Sequence, residues 1–110
     1  MAASQARLLM LTARKSDIEL QLQFINQARA QMANAVSGLF GRGLNLEPES
    51  QESKTIAAAT SQLQQQDKIM EMNAKRLETQ HQAVQTELDG VQKVIQKNIA
   101  TTFNTFNHQG

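Results

Sequence analysis

Residues 56–91 read IAAATSQLQQQDKIMEMNAKRLETQHQAVQTELDGV, and this stretch decides the fold because an aliphatic residue or Met returns at every seventh position. The row consists of Ile56, Leu63, Met70, Leu77, Val84 and Val91. A seven-residue repeat keeps one side of an α-helix turned toward a partner along its whole length. The stretch therefore predicts a helix whose apolar seam is built for coiled-coil packing.

The N-terminal part of the chain carries a second seam with the same repeat. Its row consists of Leu11, Ile18, Ile25, Met32 and Leu39. Each seam also has a companion row with the same repeat: Leu8, Lys15, Leu22, Arg29 and Val36 in the first, and Thr60, Asp67, Ala74, His81, Leu88 and Ile95 in the second. The residues around both seams are mostly Ala, Leu, Gln, Lys, Arg and Glu, which favour helices. Between the seams lie two glycines and the only proline, Pro48, which predict a joint, with Ser53 as the N-cap of the following helix. We expect one domain made of helix 3–40, joint 41–53, helix 54–103 and a short tail, 104–110.

The two seams fit one another if the helices run antiparallel. When the numbers of facing residues add up to 99, the turn falls inside the joint and most layers are apolar, while Ile18 faces His81. Arg29 and Asp67, the only opposite charges among these facing positions, fall in adjacent layers. A polar pair in a seam costs stability but can fix the register. We therefore predict an all-α fold, an antiparallel two-helix coiled-coil hairpin whose register depends on Arg29, Asp67 and His81.

Such a hairpin leaves two apolar stripes without a partner. The C-terminal stripe, on the end of the second helix that projects beyond the first, consists of Ile99, Phe103 and Phe106. The outer stripe, on the side of the first helix away from its seam, is formed around Leu9, Leu20 and Phe24. Exposed apolar patches usually mark association surfaces. We expect the hairpin to oligomerise through these six residues.

Composition excludes several classes of function. The formal net charge of the 110 residues is +1, so the basic signature of a nucleic-acid-binding protein is absent, and we expect no nucleic-acid partner. The chain has no Cys, hence no disulfide framework or thiolate nucleophile. The apolar run Leu8–Leu11 is too short for a secretory signal or a membrane span. We expect no membrane insertion, and a protein that is cytoplasmic or exported by a route without a Sec signal.

Two pairs of residues fit patterns known from catalytic and metal sites. Glu78 and His81 have the spacing used in di-iron bundles, but the additional inward carboxylates are missing. Asp67 and Glu71 are spaced like an acid–base pair, yet the same spacing suits helix ion pairs with Lys75 and Arg29. We predict that the protein is not an enzyme, with no catalytic residues, no cofactor and no metal.

Two regions of the chain resemble small bacterial helical proteins to which no activity is attached. One region is residues 13–17, ARKSD, leading into residues 24–29, FINQAR. The other is residues 75–89, KRLETQHQAVQTELD, continuing through residues 91–98, VQKVIQKN. This resemblance covers about half of the chain and implies a bacterial origin.

In overall plan, the chain is also similar to the subunits of type III secretion needles. Those are short, Cys-poor helical hairpins with a Pro-containing joint, polymerised by an amphipathic C-terminal helix. The joint is longer in this chain and reads Leu46-Glu-Pro-Glu-Ser50, and no needle-specific motif matches residue by residue. The similarity implies the broader class of self-assembling helical hairpins.

These observations favour a structural subunit that assembles with copies of itself into a helical filament or tube. The alternative is a soluble coiled-coil adaptor or chaperone that forms a dimer or four-helix bundle with another helical protein. The C-terminal stripe separates the two hypotheses, because polymerisation requires it and a closed bundle does not.

Overall fold

The computed structural model describes residues 2–109, and side chains over residues 2–107. Two helices account for nearly all of it: α1, Ala2–Gly43, and α2, Gln51–Gln109. No strand occurs between residues 2 and 109. The prediction of an all-α protein with two long helices is therefore confirmed for this part of the chain.

Both helices extend beyond the limits expected from the sequence. Helix α1 continues past residue 40 to Gly43, because its glycines adopt helical backbone angles and no glycine of the described chain has a positive φ. Glycine weakens a helix by about 1 kcal/mol relative to Ala but does not have to end it. Helix α2 includes residues 104–109 of the segment expected to form a tail, and Gly110 lies outside the described residues.

The joint consists of two consecutive turns. The N–H of Leu46 donates to the carbonyl of Gly43 at 3.2 Å, and the N–H of Ser50 donates to the carbonyl of Glu47 at 3.1 Å. Pro48 occupies the second position of the latter turn, where its restricted φ is favourable.

Helix α2 begins earlier than predicted, and Ser50 caps it instead of Ser53. The Oγ of Ser50 accepts a hydrogen bond from the N–H of Ser53 at 3.1 Å, while its carbonyl accepts the first helical bond, from Lys54, at 3.1 Å. A Ser side chain at this position satisfies one of the amide groups that the first turn leaves unpaired. Ser50 immediately precedes the first turn of α2, and Ser53 lies within that turn. Because both serines stand near the start of the helix, the hydrogen bond is what identifies Ser50 as the N-cap.

The chain divides into two compact units, each containing parts of both helices. The first unit combines Met1–Leu20 with Glu78–Gly110. Its core is formed by four buried seam residues: Leu11, Ile18, Val84 and Leu88. The other predicted seam positions of this unit are half-buried: Leu8, Lys15, His81, Val91 and Ile95.

The second unit comprises Gln21–Leu77 and includes the joint. Ala74 and Leu77 are its buried seam residues. The remaining seam positions are half-buried: Leu22, Ile25, Arg29, Met32, Val36, Leu39, Ile56, Thr60, Leu63, Asp67 and Met70. In both units, therefore, the residues protected from solvent follow the seven-residue rows that the sequence indicates.

Candidate self-association surfaces

The C-terminal stripe lies on a helical segment that the rest of the described chain leaves uncovered. Helix α2 positions Ile99, Phe103 and Phe106 at spacings of four and three residues, which places them on one side of the helix. Their exposed fractions are 54%, 63% and 77%, and every residue from 99 to 107 is exposed. Three large apolar side chains are thus presented to solvent in one patch of the first unit.

The outer stripe is also exposed at each of its residues. Leu9 and Leu20 lie in the first unit and Phe24 in the second. On a helix of 3.6 residues per turn, Leu9 and Leu20 point away from the side that carries the buried Leu11 and Ile18. Helix α1 is therefore apolar on two opposite sides, of which its seam is one.

Arg29 and Asp67 contact each other directly in the second unit. The Nε of Arg29 donates to Oδ1 of Asp67 at 2.9 Å, and its Nη2 donates to Oδ2 at 3.4 Å. Glu71 lies farther away, 3.9 Å from Arg29, and pairs with Lys75 at 3.2 Å. Two-pronged contact between a guanidinium and a carboxylate is stronger and more directional than a single ion pair. This geometry suits Arg29 and Asp67 to fixing the alignment of α1 and α2 within the unit.

His81 contacts a residue that the sequence analysis did not name. Its Nε2 lies 3.0 Å from Oε1 of Glu19, which is also 4.0 Å from the Nζ of Lys15. The expected spacing partner, Glu78, forms none of these contacts. Among the described residues, no group of three or more His, Asp or Glu side chains could hold a metal ion. The half-buried imidazole of His81 on α2 therefore contacts one carboxylate, that of Glu19 on α1, within the first unit.

A groove beside the joint contains apolar residues that the sequence analysis missed. It has a volume of about 1010 Å³, lies within the second unit and is formed by both helices. Phe40 and Leu44 stand at its edge with exposed fractions of 67% and 73%. They also line a smaller groove of about 390 Å³, together with Ile56. Phe40 directly follows the seam residue Leu39 in the sequence. A large apolar residue beside the seam was the sequence signal that could have indicated this surface.

The structure does not bring the six predicted self-association residues into contact with a core. Each is exposed, and the apolar groove beside the joint adds a further open surface. Exposed large apolar side chains are therefore present on both units, and exposed apolar patches are features that association surfaces commonly have.

Comparison with protein-family models, with curated proteins and with solved structures finds no match for this chain. Over the described residues, neither helix combines the length and the apolar character that crossing a membrane requires.

Proposed function

We propose that this protein is a structural subunit, not an enzyme, which assembles with copies of itself into a helical filament or tube. The observation that carries the proposal is the exposed C-terminal stripe, Ile99, Phe103 and Phe106, on a fully helical segment. A helical segment with three exposed large apolar residues gains most from contact with another surface. The resemblance in plan to needle subunits agrees with this role.

We further propose that the two helices pair antiparallel as a coiled-coil hairpin. In the first unit, Arg7 contacts Glu87 at 3.3 Å and Glu19 contacts His81 at 3.0 Å, so partner numbers fall as residue numbers rise. In the second unit, Arg29 contacts Asp67, and a Cβ added at Gly43 would lie 3.7 Å from Ile56. These contacts support an antiparallel register close to the one in which facing numbers add up to 99.

The amount of exposed surface supports association. The chain exposes 8441 Å², whereas a folded monomer of its mass typically exposes about 6,100 Å². Burying each large apolar side chain stabilises a contact by about 1.5–3 kcal/mol, so the three residues of the C-terminal stripe would offset much of the free-energy cost of association. The outer stripe, Leu9, Leu20 and Phe24, offers a second surface on each copy.

Contacts between different surfaces of neighbouring copies favour growth over closure. A head-to-tail contact leaves one free surface at each end of the assembly, and it forms an open helical polymer unless the rotation between copies closes a ring. The C-terminal stripe and the outer stripe are different surfaces, so a contact between them is of this kind. A contact of the C-terminal stripe with itself would instead give a closed dimer.

The test replaces Phe103 and Phe106 with Ser and measures mass in solution as a function of concentration, with electron microscopy of the same samples. We expect the wild-type chain to form polymers of regular diameter and the double variant to remain small with nearly unchanged helicity. Asn104→Ser with Asn107→Ser is the matched control, because it changes two exposed residues of the same segment without removing apolar area. Small wild-type particles that do not grow with concentration would favour the adaptor hypothesis.

A further inference from the structure

We propose that the groove beside the joint binds the C-terminal helical segment, residues 98–107, of a second copy of this chain. The inference rests on the proposed self-assembly and names the surface that receives the C-terminal stripe. It leaves the outer stripe free for other contacts in the assembly.

The shape of the groove suits an incoming helix. Along α1 the lining of the groove includes four small residues, Ala30, Ala33, Ser37 and Gly41, interspersed with larger ones such as Met32, Val36 and Phe40. A Cβ added at Gly41 would meet no heavy atom within 4 Å, so this part of the wall is open. Small side chains let another helix approach closely, while the exposed Phe40 and Leu44 at the edge can cover its apolar side.

The distribution of charge identifies the occupant. The three longest stretches of the chain without a charged residue are 30–41, 55–66 and 98–110. The groove is lined mostly by residues from the first two of these stretches, and the third carries the C-terminal stripe. Burial of an unpaired charge is costly, so a groove whose two charged residues are paired with each other is best filled by an uncharged segment. The C-terminal segment meets this condition over the longest uncharged stretch of the sequence, and among its described residues Ile99, Phe103 and Phe106 are large, apolar and exposed.

The charged residues at one end of the groove do not oppose this contact. They are Arg29 and Asp67, which already form two hydrogen bonds with each other. Covering a paired guanidinium and carboxylate leaves no net charge to be desolvated without a partner. The lengths also agree, because residues 98–107 span about 15 Å and residues 30–41 about 18 Å at a rise of 1.5 Å per residue.

Single cysteines test this contact, because the natural chain has none. The Leu44→Cys variant is mixed with either the Ile99→Cys or the Phe106→Cys variant. Ile99 and Phe106 lie near opposite ends of the segment, so one of the two mixtures should report contact in either orientation of the segment in the groove. We expect a disulfide between copies in at least one mixture. The alternative is that the C-terminal segment binds the outer stripe. The same mixtures made with Leu20→Cys in place of the Leu44→Cys variant test it, because Leu20 belongs to the outer stripe.

Three results would overturn the inference. Cross-linking to Leu20→Cys but not to Leu44→Cys would assign the receiving surface to the outer stripe, and assembly itself would still stand. Disulfides between two Phe106→Cys chains alone would indicate a tail-to-tail dimer. Absence of any assembly by the wild-type chain would reject both this inference and the proposed function.

A matched pair of glycine variants tests, without cross-linking, whether the groove takes part in assembly. Gly41→Leu places a side chain in the groove, whereas Gly38→Leu places one at a helical position that does not line it. Both changes replace a helical glycine that has open space around it, so their effects on the helix itself should be similar. We expect Gly41→Leu to raise the concentration needed for assembly about tenfold, which corresponds to about 1.4 kcal/mol per contact. Equal effects of the two variants would contradict the inference.

Discussion

The seam of the first unit and the seam at the joint end of the second differ in how well they exclude solvent. Leu11, Ile18, Val84 and Leu88 are exposed by 5–6%, whereas every seam residue from Met32 to Leu63 is only half-buried. Both regions follow the same seven-residue repeat, so periodicity does not account for the difference.

The residues beside the seam account for it. In the first unit, ion pairs flank the apolar layers: Arg7 with Glu87, and Glu19 with His81 and Lys15. Long charged side chains can lay their apolar stems along a seam while their heads stay in water. At the joint end the groove of about 1010 Å³ is lined by several small residues, Ala30, Ala33, Ser37 and Gly41, and its two charged lining residues, Arg29 and Asp67, lie at one end of it. The difference teaches that two stretches with the same repeat can differ in how far their apolar residues are protected from solvent, according to the side chains around them.

The largest expected effect is a loss of stability on truncating a seam residue, and it should be greater in the first unit than at the joint end of the second. Leu88→Ala should lower the free energy of unfolding by about 2–5 kcal/mol, because it removes a buried side chain and leaves a cavity. Leu63→Ala, at the joint end, should cost roughly half as much, since less apolar area is withdrawn from water there. Urea unfolding followed by circular dichroism at one protein concentration measures both. Equal losses would mean that the two regions are equally closed.

The next effect concerns the ion pair at the end of the groove. Asp67→Ala should destabilise the fold by about 1–2 kcal/mol, less than the ~3–5 kcal/mol of a fully buried pair, because both partners are half-buried. Glu71→Ala is the control and should cost only a few tenths of a kcal/mol, since its contact with Arg29 is long and its contact with Lys75 is exposed. A double-mutant cycle with Arg29→Ala checks the assignment, and zero coupling between Arg29 and Asp67 would contradict it.

A smaller effect concerns the cap that holds the joint. Ser50→Ala should lower the free energy of unfolding by about 1 kcal/mol, because it removes the acceptor of the Ser53 N–H. Ser53→Ala keeps that hydrogen bond and should change stability by less than about 0.5 kcal/mol. Thermal unfolding of the two variants compares them, and the reverse order would place the helix start at the later serine.

The smallest expected effect is a gain in stability when one helical glycine in either unit is replaced with Ala. Gly38→Ala and Gly90→Ala should each raise the free energy of unfolding by about 0.5–1 kcal/mol, since Ala restricts the unfolded chain and favours helix. A Cβ at either position would meet no heavy atom within 4 Å, so neither change creates a clash. Melting temperatures measured on both variants check this. A loss of stability would reveal that a glycine is needed for close approach of another copy.

Much of the fold can be predicted from the sequence because helical periodicity acts locally. The row from Ile56 to Val91 defines one side of a helix wherever that helix packs, and its residues are protected from solvent as a result. The exposure of Phe103 and Phe106 follows from the same reasoning, since the stripe lies on α2 where no residue of the described chain covers it.

The sequence by itself therefore determined the two helices, their seams and the side of α2 that carries the C-terminal stripe. Only the tertiary structure decided which serine caps α2, that α1 continues through Gly41, and that Glu19 is the partner of His81. It also decided that Arg29 contacts Asp67 more closely than Glu71. The contacts of His81 and Arg29 depend on distances of a few ångströms between residues far apart in the chain. The cap and the end of α1 depend on local backbone geometry, and the groove depends on space that the surrounding side chains leave unfilled. A repeat pattern records which side of a helix is apolar, but it contains none of these quantities.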